Sequence, residues 1–554
     1  MANDHYTVYI EPDGRRIDVA FDQTLMEALT HAGRFLRADC GGKGNCGKCR
    51  IRLLPGPGQS LDDLPMTESP ALSQADQKLG DRLACRLEVD RDLHVEIPET
   101  SLFSADIIQK APLNLPAELA RAKALAKNEP FGLAVDLGTT TIALYLCALD
   151  TKQVLGSVSI KNPQAQFGDD VMSRISAVRD KADLLGRMQS MAVNAIQWGA
   201  LTLAERQGID PLRLIRMAVV GNSTMIHILV GESPADLGVH PFKPRFIEMK
   251  QLPGETLGFT ALPRMTVETL PLISAFLGSD IIAAAVGVDF EKCEPGTVLA
   301  DVGTNGEVML KTRDGILATS CATGPAFEGA SLSCGMHAIA GAIDAVKLEA
   351  GSRQPACSLI GRKKSARTRP AGICGSGIVS AVAEAYRHNL LNSDGSFNTT
   401  CGSPALQPSD GGPAQLILAD AAASATGQAV AVSQKDIRAI QLAKGALRAG
   451  IDMLLAAAGH QRPRRILLAG AFGSYLDKED VLTIGMFPPI RGTQIDIMGN
   501  AAGVGAIRYL LESACDDRIT AIKAATQVVH LATDPAFQKA FIKALAFPSP
   551  PETV

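Results

Sequence analysis

Apolar and polar residues alternate on both sides of Asp13-Gly14 in HYTVYIEPDGRRIDVAF, which predicts a β-hairpin with a glycine-containing turn. The period then changes. In TLMEALTHAG, Leu25, Ala28 and Leu29 share one helical face and Gly33 marks the stop. RIRLLPG reads as a further strand, and RLACRLEV as a strand carrying Cys85. These elements make one unit over residues 1–95. The pattern breaks over 96–130, where IPETSLFSADIIQKAPLNLPAELARAKALAKNEPFG holds four prolines and one short helical stretch, PAELARAKALAK. That composition suits a semi-rigid linker, too short for another domain, that lets the first unit swing.

From 131 to 554 the apolar pattern is that of an α/β unit. FGLAVDLGTTTIALYLCALD is an apolar strand, Asp136, a Gly-Thr turn and a returning strand. GTVLADVGTNGEVML, about 165 residues later, repeats it around Asp301. Two such hairpins predict an internal duplication, with lobes of roughly 131–290 and 291–554. GICGSGIVSAVAEAY is a glycine-rich turn feeding a helix, and LLAGAFGSYL a strand ending in Gly470 and Gly473. LGSDIIAAAVG and GNAAGVGAIRYLL are helices of small residues, suited to close contact. Ser433 and Asp436 are spaced as a capping box, and the stretch from Ile519 closes the fold with a strand and helices.

Composition sharpens this reading. The 554 residues are 46% hydrophobic and 20% charged, with a formal charge of -4. That balance is globular and invites neither nucleic acid nor an anionic membrane. No apolar run is long enough to span a bilayer. MANDHYTVYIEPDG has no basic segment followed by an apolar one, so no signal peptide is expected and the expected location is the cytoplasm. In a reducing compartment the 12 cysteines are free thiols or metal ligands rather than a disulfide framework.

Four of them are patterned as Cys40-x5-Cys46-x2-Cys49-x35-Cys85, with Gly41, Gly42, Gly44 and Gly47 in the same loop. Three ligands from one loop and a fourth from afar resemble the [2Fe-2S] ferredoxins, in a spacing closer to the adrenodoxin-like branch than to the plant type. Thiolates are the soft ligands that iron–sulfur clusters use, and glycines let backbone N–H groups close on the sulfurs. A structural four-cysteine zinc site is the alternative, although zinc ribbons carry two C-x2-C pairs and this stretch has one. The other eight cysteines read as buried small hydrophobes.

The paired hairpins have the chemistry of phosphate binding. Gly138, Gly303 and Gly306 let backbone N–H groups approach oxyanions. Thr139, Thr140, Thr141 and Thr304 add hydroxyls, with Asn305 in the second turn. Asp136 and Asp301 stand where carboxylates hold Mg²⁺ through water. The helix N-terminus at Gly375, Ser376 and Gly377 offers an anion site.

In this order the pieces resemble the superfamily of sugar kinases, heat-shock chaperone ATPases and actin (ASKHA): Asp136-Leu-Gly-Thr-Thr its first phosphate motif, Asp301-Val-Gly-Thr-Asn its second, LAGAFG its adenosine motif. The resemblance implies two α/β lobes closing on MgATP, with Gln441 and Lys444 on a helix flanking adenine; a solvated helix face is the other reading of those two. A [2Fe-2S] ferredoxin unit of β-grasp type fused to this ATPase resembles the reductive activators of corrinoid proteins. NPQAQFGDDVMSRI, GNSTMIHILVG and GPAFEGA extend that resemblance over nearly the whole chain. One departure is that the linker has no room for the extra small domain that some relatives carry.

The resemblance implies ATP-dependent return of a corrinoid protein from Co(II) to Co(I). The electron comes from a low-potential reductase, ferredoxin or flavodoxin and passes through the cluster. Plant-type clusters sit at about −400 mV, too weak for that step unaided, and ATP supplies the drive. Glu328, in GPAFEGA, is the candidate for polarising the attacking water. Asp170 and Arg174, four apart, read as a helix-surface ion pair or a partner contact. His227 reads as packed, and GRKKSARTRP as a solvated basic loop or a docking site. Two competing classes are a redox-gated small-molecule kinase and a chaperone-like peptide-binding module; the latter lacks a C-terminal β-rich domain.

Overall fold

The computed structural model describes the chain except residues 1–4, 13, 21–22, 39–41, 43, 45, 57–59, 61–70, 103–113, 330–331, 337, 350, 353, 362–367, 410–411, 461, 471–475, 489–493, 532–533 and 549–554. The N-terminal unit is a five-stranded sheet in the order Arg15–Ala20, His5–Glu11, Leu93–Glu96, Arg50–Leu54, Asp81–Leu83. Its central pair, Val8 beside Leu93, is parallel, and the remaining pairs are antiparallel. The helix Leu25–His31 lies on it, its N-terminus closed by a capping box between Thr24 and Glu27. Val8, Val19, Leu25, Leu29, Ile51 and Val95 are wholly buried between helix and sheet. Cys85 is not on a strand: the strand ends at Leu83 and Ala84–Arg86 is a 3-10 turn.

Each lobe of the larger part is built on a six-stranded sheet. In the first, Gln153–Lys161, Thr141–Ala148 and Phe131–Leu137 run as antiparallel neighbours, followed by Leu214–Val220 and Thr266–Thr269 in parallel. In the second, Ile316–Cys321, Gly306–Lys311 and Thr297–Val302 are antiparallel neighbours, followed by Arg465–Ala469 and Gln494–Gly499 in parallel. Over these five strands the same order and the same switch of direction occur twice, while the sixth strand differs: Lys250–Pro253 lies beside Thr266–Thr269 in the first sheet and Thr526–Val528 beside Ile316–Cys321 in the second. The helices Ser279–Gly287 and Ala501–Leu511 cross between the lobes. A Cβ added at Gly505 would overlap the backbone of Ala283, and one at Gly287 that of Ala501, so only glycine permits this approach.

The helical stretch expected in the linker shortens to Ala117–Ala120. The chain there is pinned rather than free. Leu119 is buried against the first lobe's sheet, and Lys123 N–H donates to Gln153 Oε1 at 2.9 Å. Buried Glu129 accepts from the N–H groups of Ala126, Asp150 and Thr151.

The cysteine unit sits on the first lobe. Arg187 Nη2 meets Glu27 Oε2 at 2.7 Å, the Arg187 guanidinium lies 5.6 Å from the Phe167 ring centre, and Phe35 packs on Trp198 at 5.4 Å.

Candidate functional site

Two centres emerge. At the first, Cys49 Sγ and Cys85 Sγ stand 3.3 Å apart, both buried. Ala84 N–H donates to Cys49 O at 3.0 Å and fixes that approach. Two thiolates bound tetrahedrally to one metal at about 2.3 Å would be roughly 3.8 Å apart, so the pair fits a shared metal. Cys46 is half-buried in the same loop, and Gly42, Gly44 and Gly47 all have positive φ. A Cβ at Gly44 would lie 2.9 Å from Arg86 Cγ, beside the fourth cysteine. Cys40 and Gly41 lie outside the described residues. Among the described residues no group of three His, Cys, Asp or Glu is arranged to hold a metal.

The second centre is a cleft of about 1300 Å³ between the lobes, counted out to solvent. Both hairpin turns face it. Asp136, Gly138, Thr139, Thr140 and Thr141 come from the first, and Asp301, Gly303, Thr304 and Asn305 from the second. Gly375 and Ser376 bring the N-terminus of the helix Gly375–Arg387 to the same space. Gly470, at φ +99°, lets a strand end press on Val302 O. Glu328 lines the cleft and accepts from Thr304 Oγ1 at 2.7 Å.

Several expected residues lie elsewhere. Gly306 packs on Thr323, a Cβ there falling 2.7 Å from its methyl group, and Gly377 packs on Ile343 O. Gly473 lies outside the described residues. Gln441 and Lys444 are buried but do not line the cleft. Gln441 Nε2 donates to Leu545 O and Asp394 O, and Lys444 Nζ to Ala546 O at 2.6 Å. The chain's last helix, Pro535–Leu545, packs on that face, and Gln441 lines a second, separate cavity with Asp394, Arg438, Ile542 and Leu545.

Arg174 overturns the surface-pair reading. It is wholly buried, and its guanidinium donates to Thr139 O at 2.6 Å, Gly168 O at 2.9 Å and Gln164 Oε1 at 3.2 Å. Asp170 instead caps the helix Val171–Asp180. His227 is packed as expected, stacked on Phe246, its Nε2 accepting from Arg245 N–H and its Nδ1 facing Ser223 O. Cys401 is exposed, unlike the buried role expected of it. Most of GRKKSARTRP, residues 362–367, lies outside the described residues.

The cleft also contains residues the sequence reading passed over: Lys161, Asn222, Asp280 and Glu307 among them. Glu307 stands opposite Asp301 in the hairpin register, and Asp280 opens the small-residue helix Ser279–Gly287. Burial raises the carboxyl of Asp280 to about 7, with Asp301 and Asp136 adding repulsion. Burial, then Asp280 and Asp301, raises Glu307 as well. Crowded carboxylates retain protons in this way unless a cation neutralises them, so the donor set fits a divalent ion.

Comparison with known proteins decides the family. Residues 131–293 match the RACo middle region, residues 296–553 the C-terminal ASKHA domain of RACo, and residues 8–90 the 2Fe-2S iron–sulfur cluster binding domain. The chain is 32% identical over 425 residues to the corrinoid activation enzyme RamQ of Eubacterium limosum, covering 75% of this chain and 70% of RamQ. The chain belongs to the RACo family. It is also 27% identical to the [Co(II) methylated amine-specific corrinoid protein] reductase of Methanosarcina barkeri, over 75% of this chain and 77% of that one. Among solved structures, a reductive activator for corrinoid, iron–sulfur protein covers 98% of both chains with TM-score 0.69 and 25% identity. The RACo-family match therefore spans the cysteine unit and both lobes. No helix among the described residues is long and apolar enough to cross a membrane.

Proposed function

We propose that this chain is an ATP-dependent reductive activator that passes one electron to the Co(II) form of a corrinoid protein and regenerates Co(I), in the cytoplasm. The observation that carries the reading is the seating of the cysteine unit directly on the lobe that holds the first phosphate hairpin. The names of its RACo-family relatives supply the acceptor class, and a low-potential reductase, ferredoxin or flavodoxin is the donor class.

Cys40, Cys46, Cys49 and Cys85 would hold the [2Fe-2S] cluster, which when bound supplies a one-electron carrier. The chain's own residues do the rest. N–H groups and hydroxyls of the two turns bind the ATP phosphates, with Lys161 and the Gly375–Gly377 helix N-terminus adding positive potential. Asp136 and Asp301 would hold Mg²⁺ through water. Glu328, oriented by Thr304, presents its second oxygen to the attacking water. Nucleotide drives partner binding only through different affinities for open and closed lobes.

The test is anaerobic. Reduced protein is mixed with a Co(II) corrinoid protein, and Co(I) absorbance is followed with and without MgATP. Co(I) formed only with ATP, and lost in Cys46→Ser, is the expected result. Absence of Co(I) with two unrelated corrinoid proteins, together with a phosphorylated small molecule, would replace this reading by the kinase one.

A further inference from the structure

The short turn Pro163–Phe167 links the two centres. On one side it is wired into the first phosphate hairpin. Asn162 Nδ2 donates to Gly138 O at 2.9 Å, while Gln164 Oε1 accepts from Asn162 and from Arg174, which in turn holds Thr139 O. On the other side Gln166 reaches the cysteine loop. A Cβ built on Gly42 would lie 2.8 Å from Gln166 Cγ, so the loop backbone rests on this side chain. Gly42 is two residues from Cys40 and has φ +88°. Gln166 Nε2 is buried and has no hydrogen-bond partner among the described residues.

An amide donor buried without an acceptor carries its full desolvation penalty. Such a donor is expected to have an acceptor beyond the described residues. The acceptors brought to this loop by the cysteine ligands are sulfurs. Resting on the cluster reading above, we propose that Gln166 Nε2 donates a hydrogen bond to a sulfur of the bound cluster, a cysteinyl Sγ or a bridging sulfide. Gln166 is thus a tuning residue contributed by the nucleotide-binding lobe. Hydrogen bonds to sulfur are one of the determinants of cluster potential. They stabilise the reduced, more negative form, so this one raises the midpoint. Because the same turn grips Gly138 and Thr139 through Asn162 and Arg174, the first phosphate hairpin has a bonded route to this donor.

The experiment uses the full chain with its cluster, reduced under anaerobic conditions. Protein labelled with ¹⁵N in glutamine side chains is examined by pulsed electron–nuclear spectroscopy of the reduced cluster, and midpoints are read by EPR-monitored titration. The wild type should show a coupled side-chain ¹⁵N that is absent in Gln166→Met. The midpoint should become more negative in Gln166→Met, which removes the donor, keeps the length and adds no charge. A reduced cluster with no coupled glutamine nitrogen, or with equal midpoints in wild type and Gln166→Met, overturns the proposal alone. A protein that yields no [2Fe-2S] signal overturns the cluster reading and this inference with it.

Discussion

The two phosphate hairpins share a strand pattern, an aspartate and a Gly-Thr turn, yet they are braced by different means. The first is held from a distance. Asn162, Arg174 and Asn222 grip Gly138 O, Thr139 O and Thr139 Oγ1 respectively, and two of these three arise in the segment that touches the cysteine loop. The second is held locally. Thr323 Oγ1 serves both Gly303 O and Thr304 O at 3.1 Å, and Thr304 Oγ1 donates to Glu328. The second turn is also one residue shorter, so Asp301 faces Glu307 where Asp136 faces Ala143. Under the proposed function, one hairpin would report to the electron carrier and the other would carry the reactive acids. The two hairpins would then be similar frames whose surrounding side chains divide the labour.

Breaking the brace of the first hairpin should have the largest effect. Arg174→Met strands the carbonyls of Thr139 and Gly168 and takes one of the two donors from Gln164 Oε1, which keeps Asn162, an expected loss of roughly 3–5 kcal/mol. Urea unfolding monitored on Trp198 fluorescence, in the first lobe, checks it. A loss below about 1 kcal/mol would mean that the first hairpin does not depend on its distant brace.

Chemistry should separate the hairpins next. Glu328→Gln is expected to lower ATP turnover by ~10²–10³-fold with little change in KM, the size seen when one transition-state group is removed. Asn222→Ala, which frees Thr139 Oγ1, should raise KM and leave kcat nearly unchanged. Steady-state phosphate release measures both. Equal kcat losses would put reactive groups in both hairpins.

Each lobe buries a cation whose proton affinity is lowered, and the two differ. Burial lowers Arg174 to about 9, with Asp170 and Glu328 opposing, so it stays charged at neutral pH. Burial lowers Lys444 to about 7, with Arg448 adding to the effect. An unfolded lysine binds its proton up to ~10.4. Between those values the unfolded chain holds the extra proton, so this group makes stability rise with pH and exerts its full cost below about 7. From pH 7 to 8.5 the gain is at most about 2 kcal/mol. The pH slope of the urea midpoint in wild type should exceed that in Lys444→Met, and identical slopes would show Lys444 charged throughout.

What could be read before folding follows from how local each feature is. The cysteine loop and both hairpins declare themselves because the glycines, thiols and aspartates lie within a few residues of one another. Arg174 did not, because its partners Thr139 and Gln164 are 35 and 10 residues away and its spacing from Asp170 imitates a surface pair. Glu307 was in plain view within GTVLADVGTNGEVML, yet its place opposite Asp301 depends on a turn one residue shorter than its twin. Lys444 and Gln441 flank adenine only by what the family resemblance implies. The C-terminal carbonyls that occupy them come from about a hundred residues further along. Cys85 changed from strand to 3-10 turn because its backbone bends to bring Sγ to Cys49.

The smallest effect is expected at the local brace. Thr323→Val keeps the shape and removes one hydroxyl that two carbonyls share. Shared donors form weaker bonds, and Gly303 and Thr304 face a cleft that water can enter, so the stranded carbonyls are only partly desolvated. The expected loss is about 1 kcal/mol in stability, read as a shift in the urea midpoint at unchanged slope. Because Thr323 also sets the position of the Thr304 peptide, whose hydroxyl orients Glu328, kcat for ATP should fall several-fold while KM holds. Were stability to fall as far as in Arg174→Met, the second hairpin would be as dependent on its brace as the first, and the division of labour between them would have to rest on Glu307 and Glu328 alone.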